Sequence, residues 1–492
     1  MRVLLINPPF PESYWGFKHA LKFERKRSAY PPLGLLTVSA LLPRDWSRRL
    51  VDCEVEELKT SDIGWADMVF LTGMLIQKEA VHRIVAMCKA QDKIVAVGGP
   101  YVSTSTKAVP GADHIFIGEV EETLPQFIED LKQGAARQFY EDNDRPQLSS
   151  TPVADFGLVN LKHYSAMSIQ YSRGCPFDCE FCDIIEIFGR VPRTKSNEQV
   201  LAELDALFDL GWRGTVFIVD DNFIGNKPKV KQLLPRLIEW QQGKGWPFVF
   251  LTEASVNLAE DDALLARMRQ AGFYRVFLGI ETPIKASLLE AHKTQNTRGS
   301  LLAAVRKIQT YGIEVMAGFI VGFDSDPEDV FERQIRFIRQ SAIPLAMVGM
   351  LTALPDTSLW RRLQKEGRLL TESSGSNSEW LNFVPAKMDA GRLLAGYKSI
   401  LQTIYSPREY YNRSLRFLMR LPTTQLEPSM SSFLNSMVIL GRVIVKLGVL
   451  DSARLEFWRF MKVVVLKQRR RFSHAIRLAI MGYHFRKLQL SQ

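Results

Sequence analysis

Three of the five cysteines in this 492-residue chain fall within eight residues, in the run Arg173-Gly174-Cys175-Pro176-Phe177-Asp178-Cys179-Glu180-Phe181-Cys182. The spacing is C-x3-C-x2-C. Three thiolates so spaced can each bind one iron of a [4Fe–4S] cube, leaving the fourth iron open to substrate. Cys53 and Cys88 stand far upstream and supply no fourth ligand nearby. The alternative is a zinc site completed by a distant histidine. Zinc knuckles pair two C-x2-C arms, and no second arm is present. Spacing, together with a position directly after a predicted strand, favours iron and sulfur. An odd, sparse set of cysteines is not a secreted disulfide scaffold and fits a reducing, cytoplasmic setting.

Such a loop needs a scaffold. Residues 166–355 repeat strand then helix six times, with strands predicted near Ser168–Ser172, Val216–Val219, Phe248–Thr252, Arg275–Gly279, Val315–Ile320 and Ala346–Leu351. Six βα units make most of a TIM-like barrel, in which catalytic residues gather at the carboxyl ends of the strands. Those ends read Asp220-Asp221-Asn222, Thr252-Glu253, Gly279-Ile280-Glu281-Thr282 and Gly322-Phe323-Asp324. The acids could instead cap the following helices. Position on the barrel favours ligand contact for Asp221, Glu253 and Glu281, whereas Asp326, before Pro327, reads as a cap.

Residues 1–135 carry apolar runs at Val3–Ile6, Met68–Leu71, Ile94–Val97 and His114–Ile117, with helical stretches at Lys78–Cys88 and Glu121–Leu131. Short buried strands, each ending in Gly or Pro and followed by a helix, predict a doubly wound α/β domain with its ligand at the strand ends. No G-x-G-x-x-G follows the first strand, which disfavours a dinucleotide. Residues 136–165 are polar and irregular and read as a linker; residues 356–492 read as helical.

Hydrophobic residues at 46% and charged residues at 24% are ordinary for a folded chain and exclude long disorder. No apolar run reaches the ~18 residues that span a bilayer, and the N-terminus reads as a strand rather than a signal peptide. Net charge is +10, but residues 401–492 alone hold 16 Lys+Arg against 4 Asp+Glu. The remaining 400 residues are therefore slightly acidic, and no nucleic-acid partner is expected. Within the tail, Phe433, Met437, Val438, Leu440, Val443, Val445 and Leu447 stand among Arg442 and Lys446. Trp458, Phe460, Val463, Val464 and Val465 precede Lys467, Arg469, Arg470 and Arg471. Two readings stand level: helices packed on the barrel with a solvated basic face, or an interfacial helix on anionic lipid.

The strings SRGCPFDCEFCDII, GRVPRTKS, FIVDDNFIGN, LTEASVNLA, FLGIETP and MAGFIVGFDSD resemble the radical S-adenosylmethionine (SAM) superfamily. The upstream elements are Leu5-Ile6-Asn7-Pro8-Pro9, Tyr30-Pro31-Pro32-Leu33-Gly34, Gly98-Gly99-Pro100-Tyr101 and Asp113-His114-Ile115-Phe116-Ile117-Gly118-Glu119. They resemble its cobalamin-binding subclass, and the strings above closely resemble the branch of that subclass that includes the hopanoid C-2 methylases. The resemblance implies an N-terminal Rossmann-like cobalamin domain, a partial (βα)6 TIM-like radical SAM barrel and a helical C-terminal extension. It implies a [4Fe–4S] cluster on Cys175, Cys179 and Cys182. It implies SAM contacts from Phe181, Asp220, Asp221, Glu253, Glu281 and Gly322, with an aspartate at the second strand end meeting the SAM amino group. Cobalamin contacts are implied for Pro8, Pro9, Gly34, Thr72, Gly98, Gly99, Pro100, Tyr101, Gly118 and Glu119. The D-x-H-x-x-G pattern that ligates cobalt through histidine is absent, and His114 reads as structural.

The chemistry implied is methyl transfer from SAM, by way of methylcobalamin, to an unactivated carbon of a small molecule or a hopanoid-like lipid. The electron would come from a partner such as flavodoxin or ferredoxin. The location implied is the cytoplasm, with peripheral contact on the inner membrane face through the basic tail. The alternatives are a ring-forming or ring-contracting enzyme of the same architecture and, from another class, a non-catalytic cobalamin or redox sensor.

Overall fold

A computed structural model describes residues 1–104, 109–141, 144–376, 381–422 and 433–491. Residues 142 and 143 of the expected linker lie outside the described residues, as does the side chain of Phe433.

The first sheet holds six strands: β1 (Arg2–Asn7), β2 (Ser47–Asp52), β3 (Met68–Thr72), β4 (Ile94–Gly98), β5 (His114–Ile117) and β6 (Phe139–Glu141). Their order is β2-β1-β3-β4-β5-β6, and every pairing is parallel. Val3 to Ile6 are fully buried, because a parallel sheet covered on both faces demands continuous apolar strands. One face packs against Val81, Ile84, Val85 and Cys88, the i, i+3, i+4, i+7 stripe of helix Lys78–Lys89. The other packs against Leu124, Phe127 and Ile128.

Strands β2 and β6 have no apolar run in the sequence. β2 reads Ser-Arg-Arg-Leu-Val-Asp and β6 has three residues; both are edge strands, only partly covered. β6 falls inside 136–165, the stretch expected to be a linker, and extends the first sheet instead.

The second sheet is β7 (Ala166–Ile169), β10 (Gly214–Ile218), β11 (Phe248–Ala254), β12 (Phe273–Glu281), β13 (Glu314–Val321) and β14 (Leu345–Met350), adjacent in that order and wholly parallel. It is the six-stranded partial barrel, and each strand overlaps its predicted position. Between β7 and β10, a short antiparallel pair, β8 (Ser172–Arg173) and β9 (Arg193–Thr194), closes off the cysteine loop.

Helices make up most of the rest: Ser358–Lys365, Ala390–Ile404, Pro407–Arg420, Phe433–Val443 with its continuation Ile444–Leu450, Arg454–Lys467 and Phe472–Ser491. The last of these is buried. Ala475, Ile476, Leu478 and Phe485 share one core with the barrel and with Phe17, Ala20, Leu21 and Phe23 from the N-terminal segment. The ring of Phe23 meets that of Tyr483 edge-on at 5.6 Å. The early helix Lys18–Glu24 therefore packs with the barrel and the C-terminal helix, although it precedes most of the first sheet in the chain.

Candidate functional site

Gly174 opens the cysteine loop with φ +94°, and a Cβ there would lie 2.8 Å from the carbonyl oxygen of Gly189. Only glycine fits, and the close approach lets the Cys175 N–H donate to that carbonyl at 3.2 Å. Further on, the Glu180 N–H donates to Ala291 and the Cys182 N–H to Cys179. The Glu180 carboxylate is gripped at two nitrogens, 2.5 and 3.0 Å, by Arg362 of the C-terminal region. The loop is thus anchored at both ends.

Two side-chain amides face the sulfurs. Asn222 Nδ2 lies 3.8 Å from the Cys175 sulfur, and Gln295 Nε2 lies 3.7 Å from that of Cys179. Such N–H···S contacts tune iron–sulfur clusters. Among the described residues no three His, Cys, Asp or Glu side chains converge as donors to a single ion. Three thiolates, with amide N–H donors beside two of them, are the donor set of a cube that takes one thiolate per iron.

The acids expected to meet SAM divide. Asp220 accepts from the Tyr171 N–H at 2.7 Å, the Ser172 N–H at 2.9 Å and the Ser172 hydroxyl at 2.6 Å. Its carboxylate is spent on pinning the chain as it leaves the neighbouring strand β7, so the contact expected of Asp220 is replaced by a structural one. Asp221 meets the Gly174 backbone further along the same stretch, and its Oδ2 is buried without a hydrogen-bond partner among the described residues. Burial, then the charge of Asp220, pushes its pKa up to about 7. Burial and the charges of Asp221 and Asp220 push Glu253 up to about 8. Two carboxyls that ionise so reluctantly, side by side in a barrel mouth, are poised for a cation.

Glu281 carries a second surprise. It sits at φ +61° and pairs with the ammonium of Lys293, which lies 5.7 Å over the Phe181 ring. Burial works against the Lys293 charge, but Glu281 and the sulfurs of Cys179 and Cys182 outweigh it and raise its pKa. Glu281 is thus held by a lysine beside the cysteine loop rather than left open. Gly322, at φ +109°, has Leu393 within 3.0 Å of where a Cβ would stand. Its N–H donates to Asp326 at 2.8 Å. Asp326 also accepts from the Phe323 N–H and the Ser287 hydroxyl. It therefore staples the loop after β13, whereas the position before helix Val330–Ser341 belongs to Asp329.

Across the domain boundary lies a cavity of about 250 Å³. Its first-domain wall includes Gly34, Thr72, Gly98, Gly99, Gly118 and Glu119, and its barrel wall includes Gln170, Arg173, Phe188 and Val219. Six of the expected cobalamin contacts line it. Pro8, Pro9, Pro100 and Tyr101 do not: the Pro8 carbonyl accepts from Gln77, Pro100 starts a helix, and the buried Tyr101 hydroxyl meets His82 at 2.9 Å. The walls are mostly apolar, with glycine backbone at the strand ends. A Cβ on Gly99 would meet Thr72 Oγ1 at 2.5 Å, whereas one on Gly34 would meet nothing within 4 Å. A ligand in the cleft would therefore meet glycine backbone along that wall. No histidine lines it. His114 lies at the opposite end of its strand, with Nδ1 2.6 Å from the Arg137 carbonyl, which is a structural role.

Glu119 spans the boundary. It accepts from Arg173 at 2.6 Å and from Arg193 at 2.5 Å, while Glu121 pairs with Arg173 at 2.8 Å. Lys293, Asn222, Gln295, Arg173 and Arg193 gave no sequence signal as site residues. Lys293 and Gln295 sit in a polar turn, Asn222 was visible only as part of a strand end, and the arginines matter only once the two domains meet.

Residues 169–338 match the Radical SAM superfamily, and residues 357–491 match a domain of unknown function, DUF4070. The chain is 41% identical over 490 residues to an uncharacterized methyltransferase of Synechocystis sp., covering 99% of this chain and 91% of that protein. It is 37% identical over 471 residues to the hopanoid C-2 methylase of Rhodopseudomonas palustris, covering 93% of this chain and 88% of that one. Its fold is that of the cobalamin-dependent S-adenosylmethionine radical enzyme OxsB with aqua-cobalamin and S-adenosylmethionine bound. The TM-score is 0.63 at 16% identity, over 100% of this chain and 80% of that one. The chain therefore belongs to the radical SAM family that contains the hopanoid C-2 methylase.

Proposed function

We propose that the chain is a radical SAM C-methyltransferase whose acceptor is an unactivated carbon of a hopanoid-like polycyclic lipid. The observation that carries the reading is the cleft between the domains: one wall is glycine backbone at parallel strand ends, the other includes Arg173, two residues before Cys175. The relationship to the hopanoid C-2 methylase supports the lipid acceptor.

Cys175, Cys179 and Cys182 would hold the cluster, and Gly34, Thr72, Gly98, Gly99 and Gly118 would hold cobalamin. When bound, these groups supply reductive cleavage of SAM and a carrier for the methyl group. The protein supplies position and charge. Asp221 and Glu253 offer carboxylates to the cationic end of SAM. Asn222 and Gln295 donate to the cluster sulfurs, while Lys293, fixed by Glu281, sets a positive charge beside them. Phe181 and Phe323, rings 6.2 Å apart, wall the loop from water. The Arg173–Glu119–Arg193 network holds the two cofactor sites in register.

The test is an anaerobic assay with a chemical reductant, SAM, cobalamin and a hopanoid acceptor. Methyl transfer gives 5′-deoxyadenosine and S-adenosylhomocysteine together with a methylated lipid. Deoxyadenosine without homocysteine points to the ring-forming reading instead. A flavodoxin or ferredoxin should replace the chemical reductant.

A further inference from the structure

Among the described residues, ten of the 23 large apolar side chains that stand exposed lie between Met437 and Leu466. They fall on a helical hairpin. In Arg454–Lys467 the inward face is Phe457, Phe460, Met461 and Val464. The outward face carries Leu455, Trp458, Val465 and Leu466, of which Leu455 is 68% and Leu466 71% exposed. A helix apolar on two opposite faces calls for cover on each, and among the described residues only the inner face is covered. The preceding helical stretch, of which Ile444–Leu450 contacts this helix across the turn, presents Met437, Val438, Ile444, Val445, Val449 and Leu450. Trp458 joins the two sets, donating its indole N–H to the Gly448 carbonyl at 2.9 Å.

Charge identifies what the outer face meets. Arg459 and Lys462 lie on the same face of Arg454–Lys467 as the exposed apolar residues, and Arg469 follows in the short turn past the helix end. Lys446, Lys467 and Arg470 flank them, all exposed. The acids nearby are spoken for: Asp451 pairs with Arg486 at 2.9 Å and Glu456 with Arg459 at 2.5 Å. The core of a protein–protein interface is depleted in lysine. A surface in which Lys and Arg alternate with Trp, Leu and Val is the pattern of an element lying in the headgroup layer. Among the described residues no helix is long and apolar enough to cross a membrane, so the contact is in-plane. A groove of about 630 Å³, walled by Val438, Gly441, Val445, Phe23 and Tyr483, opens beside the same face.

We propose that the hairpin 433–467 docks flat on an anionic lipid bilayer. The inference concerns a surface remote from the cysteine loop and stands whether or not the acceptor is a hopanoid. The experiment is flotation of the full chain with vesicles of phosphatidylcholine alone or mixed with phosphatidylglycerol, at low and high salt. Binding is expected to the mixed vesicles and to fall with salt. It should weaken by more than about tenfold in Arg459→Glu/Lys462→Glu and in Leu455→Glu/Leu466→Glu. These side chains point outward, and an unchanged thermal midpoint and iron content confirm that the variants fold. No flotation with anionic vesicles, or equal flotation by the variants, overturns the proposal. So does a concentration-dependent dimer without vesicles that Leu455→Glu/Leu466→Glu abolishes, which would assign the face to a second copy.

Discussion

Arg173 and Glu119 lie 2.6 Å apart across the boundary between the two α/β domains, both buried. One stands two residues before the first thiol of the cysteine loop and the other follows the Gly118 turn at the end of β5. This pair makes the two ligand sites one unit. Replacing Arg173 by Met leaves Glu119 with Arg193 and leaves Glu121 with the Thr151 hydroxyl but no cation. Removing one partner of a buried ion pair costs about 3–5 kcal/mol, so denaturant unfolding should show a loss of that order. A midpoint equal to that of the parent would mean the domains are held by other contacts.

Each of Cys175→Ala, Cys179→Ala and Cys182→Ala should abolish reductive cleavage of SAM and the brown absorbance of the reconstituted protein. Asn222→Ala is milder. It removes a donor to the Cys175 sulfur, and hydrogen bonds to sulfur raise cluster potentials. Iron content should stay intact while the midpoint potential moves negative; a potential that stays put would assign Asn222 a purely structural place.

The paired acids make stability fall as pH rises. Asp221 and Glu253 hold their protons more tightly folded, to about 7 and about 8, than unfolded, where carboxyls titrate near ~4. The folded state therefore binds more protons, and their contribution is complete below about pH 4 and drains away through pH 7 to 8. Thermal scans of the cofactor-free protein should show this decline, and Glu253→Gln should flatten it. A variant curve that overlays the parent's would remove Glu253 from the account.

Gly34 separates folding from binding. Its missing Cβ faces open space in the cleft it lines, so Gly34→Trp should fold, load iron and lose cobalamin retention on gel filtration. Gly99→Ala should behave differently. At φ +95° and 2.5 Å from Thr72 Oγ1, it is expected to lower stability by about 1 kcal/mol or more. Full cobalamin retention by Gly34→Trp would place that ligand elsewhere.

The barrel was legible because its six parallel strands, buried on both faces, must be nearly continuous apolar runs, and the cysteine loop because ligand spacing along the chain is local. β2 and β6 were not, since edge strands can be polar and short. Asp220 and Asp221 look alike as text, yet in the turn after β10 the first is consumed by the Tyr171 and Ser172 backbone, while the second keeps one carboxylate oxygen without a hydrogen-bond partner among the described residues.

Lys293, Gln295 and Arg173 became site residues only through contacts 54 or more positions away along the chain, or across a turn with no periodic pattern. Composition announced a basic, apolar tail, but not that Phe472–Ser491 would bury itself against Lys18–Glu24 while 433–467 turned a second apolar face outward. Residue types and spacings decide which chemistry a chain can host, because ligand chemistry is local. Which acid is free, which lysine is buried and which face is left uncovered depends on neighbours brought together from distant positions, and that was settled by packing alone.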